Sequence, residues 1–255
     1  MNAKTLFRPV RLGGLVVLLV VIFATGWRAR AQSDAPDLVV IPGTLQSKLG
    51  CPGDWQPECE NTALTFNEAD GIWRGEFELP AGSYEYKAAL NGTWDENYGG
   101  LAQQNGPNIP LALDQATTVR FYYDHRTHWV TDSVNATIAA VIGDFQTHLG
   151  CAEDSSPTCL AGWLQDPEGD GTYIFITSDL PAGDYQVQVA ENESAGEIYG
   201  QDGAKDGVGI AFNVPKDGQL TYFSYDPESH EINVGTGSGP KGNLGAARAY
   251  WAAPD

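Results

Sequence analysis

The residues best suited to do chemistry lie together in one short stretch, Glu85-Tyr86-Lys87-Ala88-Ala89-Leu90-Asn91-Gly92-Thr93-Trp94. Tyr84, Tyr86 and Ala88 alternate with Glu85, Lys87 and Ala89, the period-two pattern of a half-buried strand. Asn91-Gly92 supplies the two left-handed residues that a two-residue hairpin turn demands, which predicts Trp94 at the start of the returning strand. An ammonium and an indole on neighbouring strand ends, with amides beside them, suit the polar rim and apolar face of a sugar. Taken alone, the pattern fits a core tryptophan beside a solvated lysine slightly better.

Other candidates carry less. His125-Arg126-Thr127-His128 offers two imidazoles, but a zinc site needs three or four ligands, and the Tyr-Asp before it reads as the entry to a hairpin turn. Asp166-Pro167-Glu168-Gly169-Asp170-Gly171 has the flavour of a calcium loop without the ordered spacing and closing glutamate of an EF-hand, and reads as a turn. A glycosidase needs two carboxylates about 5 to 9.5 Å apart, yet with 33 acidic residues such pairs occur everywhere and decide nothing. Length is more informative, because a (β/α)8 catalytic barrel takes about 250 residues and alternating helices. No G-x-S-x-G elbow, phosphate-cradling loop or activated cysteine is present. The chain is expected to hold no catalytic domain, metal or cofactor.

The four cysteines form two C-x7-C pairs. Three pairings are open to them, and the spacing favours Cys51 with Cys59 and Cys151 with Cys159. Zinc competes for such residues, but no second close pair or nearby histidine completes a site.

The export signal agrees with disulfides. Lys4, Arg8 and Arg11 precede an apolar run from Leu12 to Ala24, and Ala29-Arg30-Ala31 offers a small-x-small cleavage pattern before Gln32. Residues 1–31 therefore read as a signal peptide of a secreted protein, or as a membrane anchor if left uncleaved. That segment holds five of the 14 basic residues and none of the 33 acidic ones, leaving nine against 33, a formal charge of −24. Such a surface repels nucleic acid and anionic membranes, and leaves neutral ligands, cations or basic proteins as partners.

The elements that must position these residues come as one unit used twice. Leu49-Gly50-Cys51 returns as Leu149-Gly150-Cys151, Leu79-Pro80-Ala81-Gly82 as Leu180-Pro181-Ala182-Gly183, Tyr98-Gly99 as Tyr199-Gly200 and Tyr123-Asp124 as Tyr225-Asp226. A period of about 100 residues is the length of a small β-sandwich rather than a solenoid repeat. Strands are predicted at Leu38–Pro42, Ala63–Asn67, Ile72–Leu79, Ser83–Leu90, Thr117–Tyr123 and His128–Thr131, and in the second copy at Tyr173–Thr177, Asp184–Ala190 and Gln219–Tyr225. Turn residues separate them and no amphipathic helix stands out. The fold class is all-β, two tandem Ig-like antiparallel sandwiches at residues 36–134 and 135–234. Residues 235–255 read as a Gly-rich linker, Gly235 to Gly242, followed by Ala246-Ala247-Arg248-Ala249-Tyr250-Trp251 as the opening of a further domain. A longer parent protein is expected.

Several phrases resemble a known family: Leu49-Gly50-Cys51-Pro52-Gly53-Asp54-Trp55, Leu79-Pro80-Ala81-Gly82-Ser83-Tyr84-Glu85-Tyr86-Lys87, Trp94-Asp95-Glu96-Asn97-Tyr98-Gly99 and Phe121-Tyr122-Tyr123-Asp124 with His128-Trp129-Val130-Thr131-Asp132. They are similar to the repeated starch-binding-type modules at the N-terminus of bacterial pullulanases and amylopullulanases, and through them to glycogen-binding sandwiches. The resemblance implies a binding set of Trp55, Lys87, Trp94 and Asn108, a neutral α-glucan (starch, glycogen or pullulan) as partner, and a catalytic domain of a debranching glycoside hydrolase elsewhere.

The second copy puts Ser155, Gln188, Ala195 and Gly209 at those four positions while keeping its cysteines, its Leu-Pro-Ala-Gly turn and its tyrosines. A core tryptophan replaced by alanine costs about 3–5 kcal/mol, whereas a surface one is lost freely. The contrast favours a ligand site in the first copy and a spacer role for the second. A cell-surface protein whose two sandwiches bind a protein partner is the alternative.

Overall fold

The structure, a computed structural model, describes residues 35–237. The expected signal peptide and the segment from Ser238 onward lie outside the described residues. What is described is all-β, with short 3-10 turns and one four-residue helix, Gln146–Leu149.

The first copy contains β1 (Val39–Val40), β2 (Thr65–Asn67), β3 (Ile72–Leu79), β4 (Gly82–Tyr86), β5 (Ala88–Leu90), β6 (Asn97–Tyr98), β7 (Ile109–Leu113), β8 (Thr117–Asp124) and β9 (Trp129–Asp132). One antiparallel sheet runs β2-β3-β8-β9, and facing it are the ladders β1-β5-β6 and β4-β7. Inward residues of both layers, among them Ile41, Leu79, Tyr86, Leu111, Val119 and Phe121, form the core. The second copy repeats the plan with β10 (Ala139–Gly143), β11 (Trp163–Leu164), β12 (Tyr173–Thr177), β13 (Gly183–Glu191), β14 (Ile198–Tyr199), β15 (Ile210–Val214), β16 (Thr221–Asp226) and β17 (Glu231–Thr236). Its core gathers Phe145, Leu180, Val187, Val189, Phe223 and Tyr225.

Three differences from the sequence reading stand out, the first two of them at the site. The predicted strand Ser83–Leu90 is two strands, broken at Lys87. The partner there is Pro42, whose carbonyl accepts the Lys87 N–H at 3.1 Å but which has no N–H to return. In the second copy Ile142 takes that place, pairs with Gln188, and β13 runs unbroken. Secondly, Asn91 and Gly92 adopt the expected left-handed backbone (φ 54° and 68°), yet no two-residue hairpin closes. The turn bond from Thr93 N–H to Leu90 O is made at 3.2 Å, but the return Leu90 N–H goes to Glu96 O, and the Asn91 side chain accepts the N–H groups of Asp37 and Leu38. Trp94 therefore sits in a loop rather than on a strand. Thirdly, Gly235 and Thr236 belong to β17, opposite Tyr222 and Thr221, so the expected linker cannot begin at Gly235.

The two copies share a third apolar cluster. Ile72, Tyr122 and Trp129 of the first pack with Ile138, Ala140, Leu160 and Trp163 of the second. Beside it Arg74 donates to both oxygens of Asp70 (3.0 and 2.7 Å) and to Glu193 at 3.0 Å. Asp70 also accepts the Leu160 N–H, and Glu193 accepts Tyr122 OH and Arg120. Burial alone would lower the Arg74 pKa, but the bond to Asp70 and the charges of Asp70 and Glu193 outweigh it and hold the guanidinium above its ordinary value. A second tie runs from Asp124, gripped by Arg126, to Gln165, whose amide donates at 3.1 Å.

The buried tyrosines make alkaline stability predictable. Tyr86 is fully buried and donates to Asp132 at 2.7 Å, so desolvation, followed by the Asp132 charge, raises its pKa well above 10.0. Desolvation and Glu193 raise Tyr122, and desolvation and Glu191 raise Tyr225. Each phenol stays protonated in the fold while its unfolded counterpart ionises. The stability they contribute is thus whole below pH 10 and lost as pH climbs toward the folded values. Tyr86 alone is expected to cost about 1.4 kcal/mol per pH unit above 10, with the other two adding in the same direction. Urea midpoints falling steeply between pH 10 and 11 in the wild type, and less steeply in Tyr122→Phe, check this.

Candidate functional site

Two loops on one end of the first copy meet to form the site. The Cys51–Cys59 disulfide closes the first. Inside it the fully buried Gln46 acts as a post, its amide donating to Gln56 O at 2.8 Å and its carbonyl accepting the Gln56 N–H at 2.7 Å. Asp54 accepts the Ser47 N–H, and the Trp55 N–H reaches Gly43 O. Only glycine fits at position 43, because a Cβ there would collide with the Glu85 carbonyl oxygen. Held this way, Trp55 lies at φ 60°, a left-handed conformation that strains a bulky L-residue by about 1–2 kcal/mol. The second copy uses the same frame, with the Cys151–Cys159 disulfide, the Gln146 post, Asp154 and Ser155 at φ 56°, but presents only a hydroxymethyl group.

The second loop is 91–96. Gly92 lies against Pro57 and Glu58, which brings Trp94 beside Trp55 with ring centroids 6.4 Å apart and planes tilted by 41°. Of the five tryptophans among the described residues, Trp73, Trp129 and Trp163 are buried, whereas Trp94 is 40% exposed and Trp55 half-buried. Trp94 is therefore not a core residue. The two indoles that face solvent are the two that touch.

Lys87 stands at the strand break and Asn108 on the segment leading into β7, one step past the last β4–β7 pair, Tyr86 with Ile109. Asn108 donates to Glu85 at 2.9 Å. The Lys87 ammonium lies 3.5 Å from the Asn97 amide oxygen. Asn97 was not visible from its own neighbourhood in sequence. It is buried, and its amide nitrogen donates to Trp94 O at 3.0 Å and to Asn105 at 2.8 Å, so one side chain joins Lys87 to the tryptophan loop. The signal lay in the repeat: one residue before the shared Tyr98 and Tyr199, the second copy has Ile198. With Gln188 turned onto Gly207 O, all five positions change together in the second copy.

The remaining candidates resolve as framework. His128 stacks on Tyr98 (centroids 4.0 Å) and meets Tyr123 OH, as His230 does with Tyr199 and Tyr225. Asp166 closes its turn by accepting the N–H groups of Gly169, Asp170 and Gly171. Among the described residues no three His, Cys, Asp or Glu side chains are grouped to hold a metal ion. The arrangement offers two aromatic faces, an ammonium and amides.

Fold and site together define a tandem of β-sandwich modules with an exposed aromatic surface on the first. The chain matches the pullulanase X25 domain family twice, over residues 38–130 and 138–232, and belongs to that family. It is 32% identical over 230 residues to an amylopullulanase of Thermoanaerobacterium thermosulfurigenes, covering 86% of this chain and 12% of that protein. To an amylopullulanase of Thermoanaerobacterium saccharolyticum it is 32% identical over 212 residues, 79% of this chain and 16% of the relative. The chain thus spans a small fraction of the length of these relatives. A solved pullulanase from Bacillus acidopullulyticus aligns over 79% of this chain and 28% of its own, at 20% identity and a TM-score of 0.36.

Proposed function

We propose that this chain is the exported, non-catalytic α-glucan-binding part of a pullulanase-type debranching enzyme, with Trp55, Lys87, Trp94 and Asn108 as its binding set and Asn97 positioning it. The observation that carries the reading is the tilted, solvent-facing pair of indoles beside Lys87, present in one copy and dismantled in the other. A glucose ring exposes an apolar C–H face and a rim of hydroxyls, so the indoles take faces while the ammonium and amide donors take the rim. Successive rings of an α-1,4 chain turn relative to one another, which suits planes 41° apart better than a flat shelf. A neutral polymer also carries no charge for a strongly acidic surface to repel. The two disulfides suit an oxidising compartment, in keeping with secretion.

Native affinity electrophoresis tests this. The wild type is expected to be retarded in gels containing amylopectin. Trp94→Ala, an exposed position, should weaken binding by about 2 kcal/mol or more, roughly thirty-fold in Kd, and run as in a glucan-free gel. Equal mobility of the wild type in both gels would sink the reading and leave a protein partner as the alternative.

A further inference from the structure

The face by which the first copy holds the second has a counterpart on the second copy. In the first copy it is the outward side of β2-β3-β8-β9, where Ile72 and Tyr122 pack on the second copy and Arg74 reaches Glu193. Its strand pairs there are Arg74 with Tyr122 and Glu76 with Arg120. In the sheet β12-β16-β17 the matching pairs are Ile174 with Ser224 and Ile176 with Tyr222. Phe175 and Phe223, their strand neighbours, point into the core, so Ile174, Ile176 and Tyr222 point away from it. The second copy thus has apolar groups where the first has Arg74, Glu76 and Arg120, and polar Thr172 and Ser224 where the first has Ile72 and Tyr122. The apolar part of the face has moved one pair along the strands.

The two isoleucines are covered. Each is only 6% exposed, in a small cluster of its own to which Leu220 and Tyr222 are the apolar neighbours among the described residues. Both neighbours are half-buried themselves. Tyr222 also leans the other way: its ring lies across Gly235 of β17, where an added Cβ would collide with the phenol. The outward side of an antiparallel sheet is ordinarily wet, so burial this deep needs something lying over it.

The path of the chain points to the occupant. Strand β17 ends at Thr236, opposite Thr221, and the Gly237 N–H donates to Leu220 O at 2.9 Å, so the polypeptide leaves the sheet beside the patch. Strand β12 lies two strands away, about 10 Å. The six residues 238–243 can extend over roughly 20 Å, enough to return there. Ser238-Gly239-Pro240-Lys241-Gly242 has little to bury, whereas Leu244, Ala246, Ala247, Ala249, Tyr250 and Trp251 make the next stretch strongly apolar. We propose that residues 243–251, which lie outside the described residues, dock on this face with Tyr250 and Trp251 over Ile174 and Ile176. The proposal does not draw on the glucan site. It gives the second copy, whose indole site is dismantled, a role as the seat of the segment that follows it.

Thiol labelling of the full chain tests this. Ile176→Cys keeps a small apolar side chain and adds a reactive probe, the native cysteines all being in disulfides. With a maleimide in native buffer it should react roughly tenfold faster, or more, once Tyr250→Ala/Trp251→Ala is added, because the cover no longer has to open. Ala211→Cys, at an exposed position of the same copy, should react at one rate in both backgrounds. Equal rates at position 176 in both backgrounds overturn the proposal, since the cover then comes from the sandwich itself. Slow labelling that speeds up on dilution also overturns it and makes a second copy of the chain the occupant. A hydrophobic dye reads the same face with the isoleucines in place. The chain ending at Gly237 should bind it and the full chain should not. Ile174→Arg/Ile176→Glu, the first copy's own residue types, should abolish dye binding by the shortened form. No gain of dye on shortening, or a gain that survives those substitutions, overturns the proposal.

Discussion

Arg74→Ala is expected to destabilise the chain by about 3–5 kcal/mol and to divide one calorimetric unfolding transition into two. Removing one partner of a buried ion pair leaves the other charge uncompensated, which is the costly case. The Asp70 side chain is fully buried and that of Glu193 is 14% exposed, so neither can turn to solvent for a replacement. Asp70 would retain the N–H groups of Ile72 and Leu160, and Glu193 would retain Tyr122 and Arg120, which holds the loss within that range. For a unit of this size the drop corresponds to about 6–20 °C in Tm. The division into two follows from position: among the described residues Arg74 is the one side chain bonded to both Asp70 and Glu193, and it sits beside the shared apolar cluster. Arg120→Ala is the control. Its side chain is 35% exposed, and its loss should cost under about 1 kcal/mol and leave one transition. A single transition in Arg74→Ala, shifted by less than 1 kcal/mol, would mean that the apolar cluster alone joins the copies.

Local pattern and repeat made much of this molecule readable. Ile72–Leu79 and Tyr173–Thr177 have the bounds expected of them, because turn residues flank each run and side chains sort by face. What escaped has physical causes. In β7, Pro110 interrupts an otherwise apolar run and argues against a strand, yet it occupies an exposed position where its missing N–H costs little. Strand β10 is buried along its whole length, so Ala139–Gly143 lacks the alternation by which a half-buried strand announces itself. The break at Lys87 is decided by Pro42, 45 residues earlier, and the Arg74–Glu193 bond spans 119 residues. Neither leaves a local trace. At the candidate site the exposure of Trp94 was legible from the contrast between copies, whereas its place in a loop and the break at Lys87 were not. Nor was the role of Asn97, since a buried asparagine opening a two-residue strand looks like any turn residue until its three partners are seen.

Cys51→Ser/Cys59→Ser and Cys151→Ser/Cys159→Ser should cost the fold similar amounts and differ in binding. Each disulfide closes a loop of eight residues' separation, for which chain entropy gives about 2.5 kcal/mol. The frames are alike, each loop being also held by its buried glutamine, so similar losses in urea are expected from the two variants. Binding is expected to separate them because only the first loop stores strain in a residue of the proposed binding set. Trp55 at φ 60° is held about 1–2 kcal/mol above its relaxed backbone, and opening the loop lets it fall back to negative φ, away from Trp94. Restoring the bound geometry then costs the ligand that energy, roughly tenfold in Kd for amylopectin. The second-copy variant leaves the Trp55–Trp94 pair untouched and should bind there as the wild type does. Equal weakening in both variants would show that the strained tryptophan is not what the first disulfide holds in place for the ligand.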